Sequence, residues 1–200
     1  MAAGLLLALK PDLQIERTRD DARLASAKFL FDVGSAYEPR QLHFDHHFVG
    51  SPSRSFCETS GRTAGIPYSS IGLLWLHFGR VALEMYAGHL GARKRDHLHS
   101  WIDTWLIQPL DSIDNGRGRQ GDEHVISYHL ASLNNTWEEA DGMDAAAYNE
   151  SQDKRFRDAS GWLAKAWTTF LSAVGLDMRK AFSGLQAEVR THTAAAYEAR

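Results

Sequence analysis

Two short stretches carry most of the chemistry that can be read directly from the sequence: Phe31-Asp32-Val33-Gly34 and His43-Phe44-Asp45-His46-His47. Asp32 closes one apolar run, and the Asp45-His46-His47 triplet closes the next. Carboxylate oxygen and neutral imidazole form a donor set suited to divalent ions such as Mn²⁺. Asp111 and Asp114, in Asp111-Ser112-Ile113-Asp114-Asn115-Gly116, add two acids near the end of a predicted helix. Each of these signals alone is matched by a plain alternative, a capping acid or a surface turn. The combination of an acid in an apolar strand, an Asp-His-His triplet and a later acid points to a metal centre.

Such residues need elements to bring them together. The apolar runs Phe29–Val33 and Leu42–Asp45 read as strands, the first buried on both faces as in a parallel sheet. Open α/β sheets bind ligands beyond the carboxyl ends of their strands, so Asp32 and His46 are expected to meet there. Leu13–Arg17 alternates and predicts a further strand, followed by a short helical turn over Ala22–Lys28. Tyr37-Glu38-Pro39-Arg40 reads as a turn, and residues 48–67 as a long loop of the kind that is functional or mobile. Ser69 or Ser70 is placed to cap a helix over Ile71–Leu90, with Leu73, Leu74, His77, Phe78, Val81, Leu83 and Met85 on its apolar face.

A second helix is predicted over Asp96–Asp114, kinked or shortened by Pro109. Beyond it the sequence predicts helices only: Val125–Leu133, Met143–Asp158, Ala159–Val174 and Leu176–Ala196. Trp162, Leu163, Trp167, Phe170, Leu171 and Val174 recur at helical spacing and read as core. Strands alternating with helices make this an α/β domain, a parallel sheet with flanking helices followed by a helical tail.

Composition narrows the classes. The chain has 200 residues, 44% hydrophobic and 24% charged, with a net charge of −3 and a pI near 6.4. That length suits one domain with a small appendage, and the charge excludes a strongly basic nucleic-acid binder. Arg93-Lys94-Arg95 reads as a solvated helix end. A single cysteine, Cys57, excludes an intramolecular disulfide and fits a reducing, cytoplasmic compartment. The apolar start, Met1 to Leu9, lacks a basic leader and a cleavage site and is ended by Lys10-Pro11-Asp12. It reads as a buried core helix, and no membrane span is expected.

Several motifs occur in a specific order: Thr18-Arg19-Asp20, Asp32-Val33-Gly34, Tyr37-Glu38-Pro39, Phe44-Asp45-His46-His47, Ser69-Ser70-x-Gly72-Leu73, His77-Phe78-Gly79, Asp111-x-x-Asp114-Asn115-Gly116 and Leu133-Asn134-x-x-Trp137. This pattern resembles the melanocyte-proliferating-gene family, which belongs to or lies near the DHH phosphoesterases. The resemblance covers residues 1–140, an expected DHH-like phosphoesterase domain, with 141–200 a helical extension toward a second domain. It implies a metal-dependent nuclease, a 3′-to-5′ RNA exonuclease in eukaryotic members, using two divalent ions, Mn²⁺ or Mg²⁺. By that resemblance Asp32 bridges the ions, His46 ligates one, and Asp111 or Asp114 completes the ligand set of the second ion. His47 contacts the phosphate or orients ligands, and Asp45 fixes an imidazole from behind. Arg62, Ser69 and Ser70 are candidate phosphate contacts, with loop and cap roles as the structural alternative.

The family opens with a His-Asn-Gly-x-Phe-His-x-Asp-Glu strand, which does not occur here, either through a misassigned start or in a genuinely shortened form. The remaining ligands are expected to hold one ion or none. The other readings are a phosphohydrolase acting on small phosphorylated compounds, and a catalytically impaired member serving as an interaction module. A homo-oligomer would cover apolar surface left by the shortened sheet.

Overall fold

The computed structural model describes residues 1–54, 65–117 and 143–198, with side chains to residue 192. The predicted helix Val125–Leu133, the Leu133–Trp137 motif, Arg62, Cys57 and the domain boundary near residue 140 lie outside them. The chain is mixed α/β and rich in helix. Its contacts group residues 18–122 into one unit and residues 3–17 with 123–200 into another.

The first of these units holds the sheet. Asp20 caps the short helix α2 (Asp21–Ser26) by accepting from the Arg23 N–H at 2.9 Å. Strands β1 (Leu30–Phe31), β2 (Tyr37–Glu38) and β3 (His43–Phe44) follow in spatial order β1-β3-β2. β1 pairs with β3 in parallel, Leu30 opposite His43 and Phe31 opposite Phe44, whereas β2 pairs with β3 antiparallel. The sheet is therefore mixed rather than wholly parallel. Tyr37–Glu38, expected as a turn, is its third strand, and a single 3₁₀ turn (Pro39–Gln41) with Leu42 in the left-handed region returns the chain to β3. Phe44 is buried under the rings of Phe29, Tyr37, His77 and Phe78, which fixes the end of β3.

Helix α3 (Ser70–Ala87) covers the sheet, and its buried stripe runs through Ile71, Leu74, Trp75, Gly79, Ala82, Leu83 and Ala87. Val81, Met85 and His77, expected on that stripe, are exposed, although the His77 ring keeps one side against Phe44 and Tyr37. The predicted Asp96–Asp114 helix is a continuous path of three pieces: α4 (Ala92–Ile102), a π-helical segment (Asp103–Ile107) and α5 (Gln108–Asp114). Pro109 cannot donate to the residue four before it, and the wider π turn just ahead of it absorbs that missing bond. Ile102, Leu106, Ile107 and Leu110 are buried, while Trp105 and Ile113 remain exposed.

The other unit is helical. α1 (Ala2–Leu9) is buried at Ala3, Gly4, Leu5, Leu6 and Ala8, as its composition predicts. The two helices expected over Met143–Asp158 and Ala159–Val174 form one, α6 (Ala145–Val174), capped by Asp144 on the Ala147 N–H at 2.8 Å. Gly161 costs about 1 kcal/mol within a helix, but the buried stripe of Leu163, Trp167 and Phe170 outweighs it and no proline interrupts Asp158-Ala159-Ser160-Gly161, so the helix runs through. Leu163, Trp167, Phe170, Leu171 and Val174 are buried as predicted, and α7 (Met178–Glu198) packs on α6 through Ala181, Leu185 and Val189. Leu13–Arg17 is not a strand: its alternation has no neighbouring ladder among the described residues, and an isolated strand leaves its backbone unpaired. No helix among the described residues is long and apolar enough to cross a membrane.

Candidate metal centre

The parallel register of β1 and β3 brings their carboxyl ends side by side, so Asp32 and Asp45-His46-His47 emerge together. Asp32 takes a left-handed backbone, φ +64°, and Ser35 and Gly34 do the same at +51° and +93°. Aspartate tolerates this region better than most residues, and such backbones concentrate at functional sites. The turn bends the chain so that the Asp32 carboxylate points back toward β3. Its Oδ1 lies 3.4 Å from His46 Nε2 and 3.9 Å from His47 Nδ1. It also accepts a hydrogen bond from Ser70 Oγ at 3.2 Å, the same hydroxyl lying 3.1 Å from the Phe44 carbonyl.

Asp114, at the end of α5, approaches from another side, with Oδ2 3.3 Å from His46 Nε2. His46 is thus a buried imidazole flanked by two carboxylates, and neither of its ring nitrogens has a hydrogen-bond partner among the described residues. Buried polar atoms in native proteins are nearly always satisfied, so an orphaned nitrogen between two carboxylate oxygens is the arrangement a cation would complete. Burial, and then the neighbouring His47, lower the His46 pKa against the pull of Asp114, Asp32 and Asp45, which keeps the ring neutral and its lone pair available. Burial and the charge of Asp32 push the Asp114 carboxyl above its ordinary value, against His46 and His47.

Asp45 has a different environment. It is buried, and both oxygens are occupied: Oδ2 accepts from the Ser35 N–H at 2.6 Å, and Oδ1 from the His46 N–H at 2.7 Å and the His47 N–H at 3.2 Å. His47 Nδ1 lies 2.8 Å from the same Oδ1. Burial raises the Asp45 pKa, but the hydrogen bonds from His47, Ser35 and His46 outweigh it, and the carboxyl sits below its ordinary value. Asp32, Asp45, His46 and His47 form a cluster whose candidate ligand atoms lie within 4.8 Å of one another. Within it, Asp45 is saturated and serves to orient His47, whose exposed ring keeps Nε2 available.

Asp111 does not join this cluster. Its carboxylate is fully buried, with Oδ1 accepting from the Ser69 N–H at 3.0 Å and Ser69 Oγ at 2.5 Å, and Oδ2 bound by Arg54 Nη1. The structure brings Asp114, and not Asp111, to His46. Ser69 occupies the N-cap position of α3, but its hydroxyl is directed to Asp111 instead of capping the helix. Arg54 and Asp103 carried no signal in the sequence, since each is a lone charge in a loop or on a helix face.

The profile of the MYG1 exonuclease family, described as an uncharacterised protein family (UPF0160), matches residues 1–198. The chain is 34% identical to the human "MYG1 exonuclease" over 170 residues, covering 76% of this chain and 43% of the relative. It is 33% identical to the mouse "MYG1 exonuclease" over 173 residues, 76% of this chain and 43% of that relative. It is 29% identical to a "MYG1 protein" of Dictyostelium discoideum over 198 residues, 89% of this chain and 58% of that protein. The chain therefore spans less than half the length of the mammalian relatives it matches. No solved structure matches it. With the family profile extending over nearly every residue, the chain belongs to the MYG1 exonuclease family.

Proposed function

We propose that this chain carries a metal-dependent phosphodiesterase centre with DHH-like character, acting on RNA or short oligonucleotides with 3′-to-5′ polarity. The observation that supports it is His46, buried and without a hydrogen-bond partner among the described residues, its Nε2 set 3.4 Å from Asp32 and 3.3 Å from Asp114. His46, Asp32 and Asp114 are the residues that would hold a divalent ion, Mn²⁺ or Mg²⁺. Such an ion polarises a phosphoryl oxygen and lowers the pKa of a bound water.

The chain's own residues do the rest. His47, its ring oriented by Asp45 through Nδ1, would meet a phosphate oxygen with Nε2–H in its doubly protonated form, and orient ligands otherwise. Asp45 fixes that ring and stays ionised at neutral pH, because its four hydrogen bonds favour the charged form. Ser70 steadies Asp32 through its hydroxyl and, by its second contact to Phe44, ties that carboxylate to the end of β3.

The test is hydrolysis of a 5′-labelled RNA oligonucleotide with Mn²⁺, beside Asp32→Ala and His46→Ala. Products shortening from the 3′ end, with rates falling about 100-fold in either variant, are expected for ligand removal. Equal activity in all three proteins would contradict the reading. Hydrolysis confined to a small phosphorylated compound would replace the RNA substrate and keep the centre.

A further inference from the structure

We propose that Arg54 and Asp111 are positioning residues: their buried pair sets α5 against the start of α3 and thereby places Asp114 and Ser70 around His46. The inference rests on the reading of the His46 site above and adds two residues that touch none of its candidate ligand atoms.

The pair is the hub of a buried network. Arg54 sits beside the Ser53–Pro67 bridge, and its backbone N–H donates to the Ile66 carbonyl at 2.9 Å. One side of its guanidinium meets Asp103, Nε to Oδ2 at 3.1 Å and Nη2 to Oδ1 at 2.7 Å. The other side meets Asp111, and the Tyr68 ring lies 4.2 Å beneath. Gln108 Nε2 donates to Asp103 at 2.9 Å. One planar fork thus joins the loop, the π segment and α5, a geometry that a lysine's single ammonium cannot reproduce.

Asp111 carries the tie onward. Its Oδ1 holds both the backbone N–H and the hydroxyl of Ser69, the residue before α3. The next residue is Ser70, whose hydroxyl reaches Asp32. Three residues along α5 from Asp111, on the same side of the helix, is Asp114. Gly72 completes the fit, because a Cβ there would stand 2.7 Å from the Asp111 carboxyl carbon. A buried ion pair adds little stability over an apolar replacement of the same volume, but it fixes geometry. Here the fixed geometry is the spacing between two elements that each deliver a carboxylate or its holder to His46.

The experiment uses the full chain and the variants Arg54→Lys, Arg54→Met and Asp111→Asn, each with its melting temperature. The first readout needs no metal: NMR signals of the His46 ring and of the Ser70 and Asp114 amides. The second is calorimetric titration with Mn²⁺ alone. The expected result is displaced His46, Ser70 and Asp114 signals, unchanged Trp162 and Trp167 indole signals, and Mn²⁺ binding weakened about tenfold. If Arg54→Met does not fold, Arg54→Lys and Asp111→Asn carry the test. Variants that melt earlier yet keep the wild-type His46 and Asp114 signals would overturn the proposal, as would loss of folding in both conservative variants. Should the wild type take up no Mn²⁺, the site reading fails, and the metal-free signals still decide the role of the pair.

Discussion

His46 Nε2 and Asp114 Oδ2 stand 3.3 Å apart, the ring delivered by the end of a strand and the carboxylate by the end of a helix. Two elements distant in sequence meet at one nitrogen, so the two side chains should act as a unit toward a cation. His46→Ala and Asp114→Asn are each expected to weaken Mn²⁺ binding by about tenfold or more, and the double variant by less than the product of the two. Calorimetric titration of the four proteins measures this directly.

Asp45 is the anchor behind the site, with four hydrogen bonds on one buried carboxylate. Asp45→Asn replaces one acceptor oxygen by a donor that would face N–H groups, and it should cost about 2–4 kcal/mol by urea denaturation. Because the folded carboxyl titrates below its ordinary value, its stabilisation is present above the unfolded pKa of about 3.9. That stabilisation is lost as pH falls through the lower folded value. The wild type should therefore lose stability steeply at acid pH, and Asp45→Asn should show a flatter acid limb.

The site was legible where chemistry and strand ends coincide. An acid after one apolar run and Asp-His-His after another were enough to expect Asp32 beside His46, because β1 and β3 pair in parallel. Which of Asp111 and Asp114 would stand beside His46 was not legible, since both acids close the same helix. It turns on Arg54, a loop residue brought to Asp111 only by folding. The sheet was read too generously at Leu13–Arg17, where alternation without a ladder partner leaves no strand, and too sparingly at Tyr37–Glu38, where Pro39 masked a short edge. The tryptophan-rich tail was legible because packing and period agree; the join between its two expected helices was not, because Gly161 disfavours helix locally and only the packing around Leu163, Trp167 and Phe170 carries the helix through it.

Metal uptake should depend on pH in a definite direction. The His46 pKa lies below its usual 6.5, through burial and then His47, so at pH 7 the ring is neutral and ready to bind. Asp114 is raised by burial and by Asp32, so its proton is also lost later than an ordinary carboxyl's. Protons therefore compete with a cation only on the acid side. Apparent Mn²⁺ affinity should be flat above pH 7 and fall as pH drops below about 6.5, with protons released on binding in that range. Calorimetry in two buffers of different ionisation heat reads the proton count.

Gly72 and Gly4 each allow a close approach. At Gly72 an added Cβ would meet the Asp111 carboxyl carbon at 2.7 Å, and at Gly4 it would meet Leu163 Cβ at 2.6 Å. Gly72→Ala should destabilise by about 1–3 kcal/mol and shift the Asp114 amide signal, because Asp111 must move. Gly4→Ala should destabilise by a similar amount, by prising α1 from α6, and leave Asp114 unmoved. Thermal melts and amide spectra of the two variants separate these outcomes.

The most direct measurement of the central claim is titration of the wild-type chain and of Asp32→Ala with Mn²⁺ at pH 7.5. Three ligands, Asp32, His46 and Asp114, predict one ion per chain, held at micromolar strength or weaker, with binding abolished in Asp32→Ala. Two ions bound with sub-micromolar affinity, or binding that Asp32→Ala leaves intact, would contradict the account.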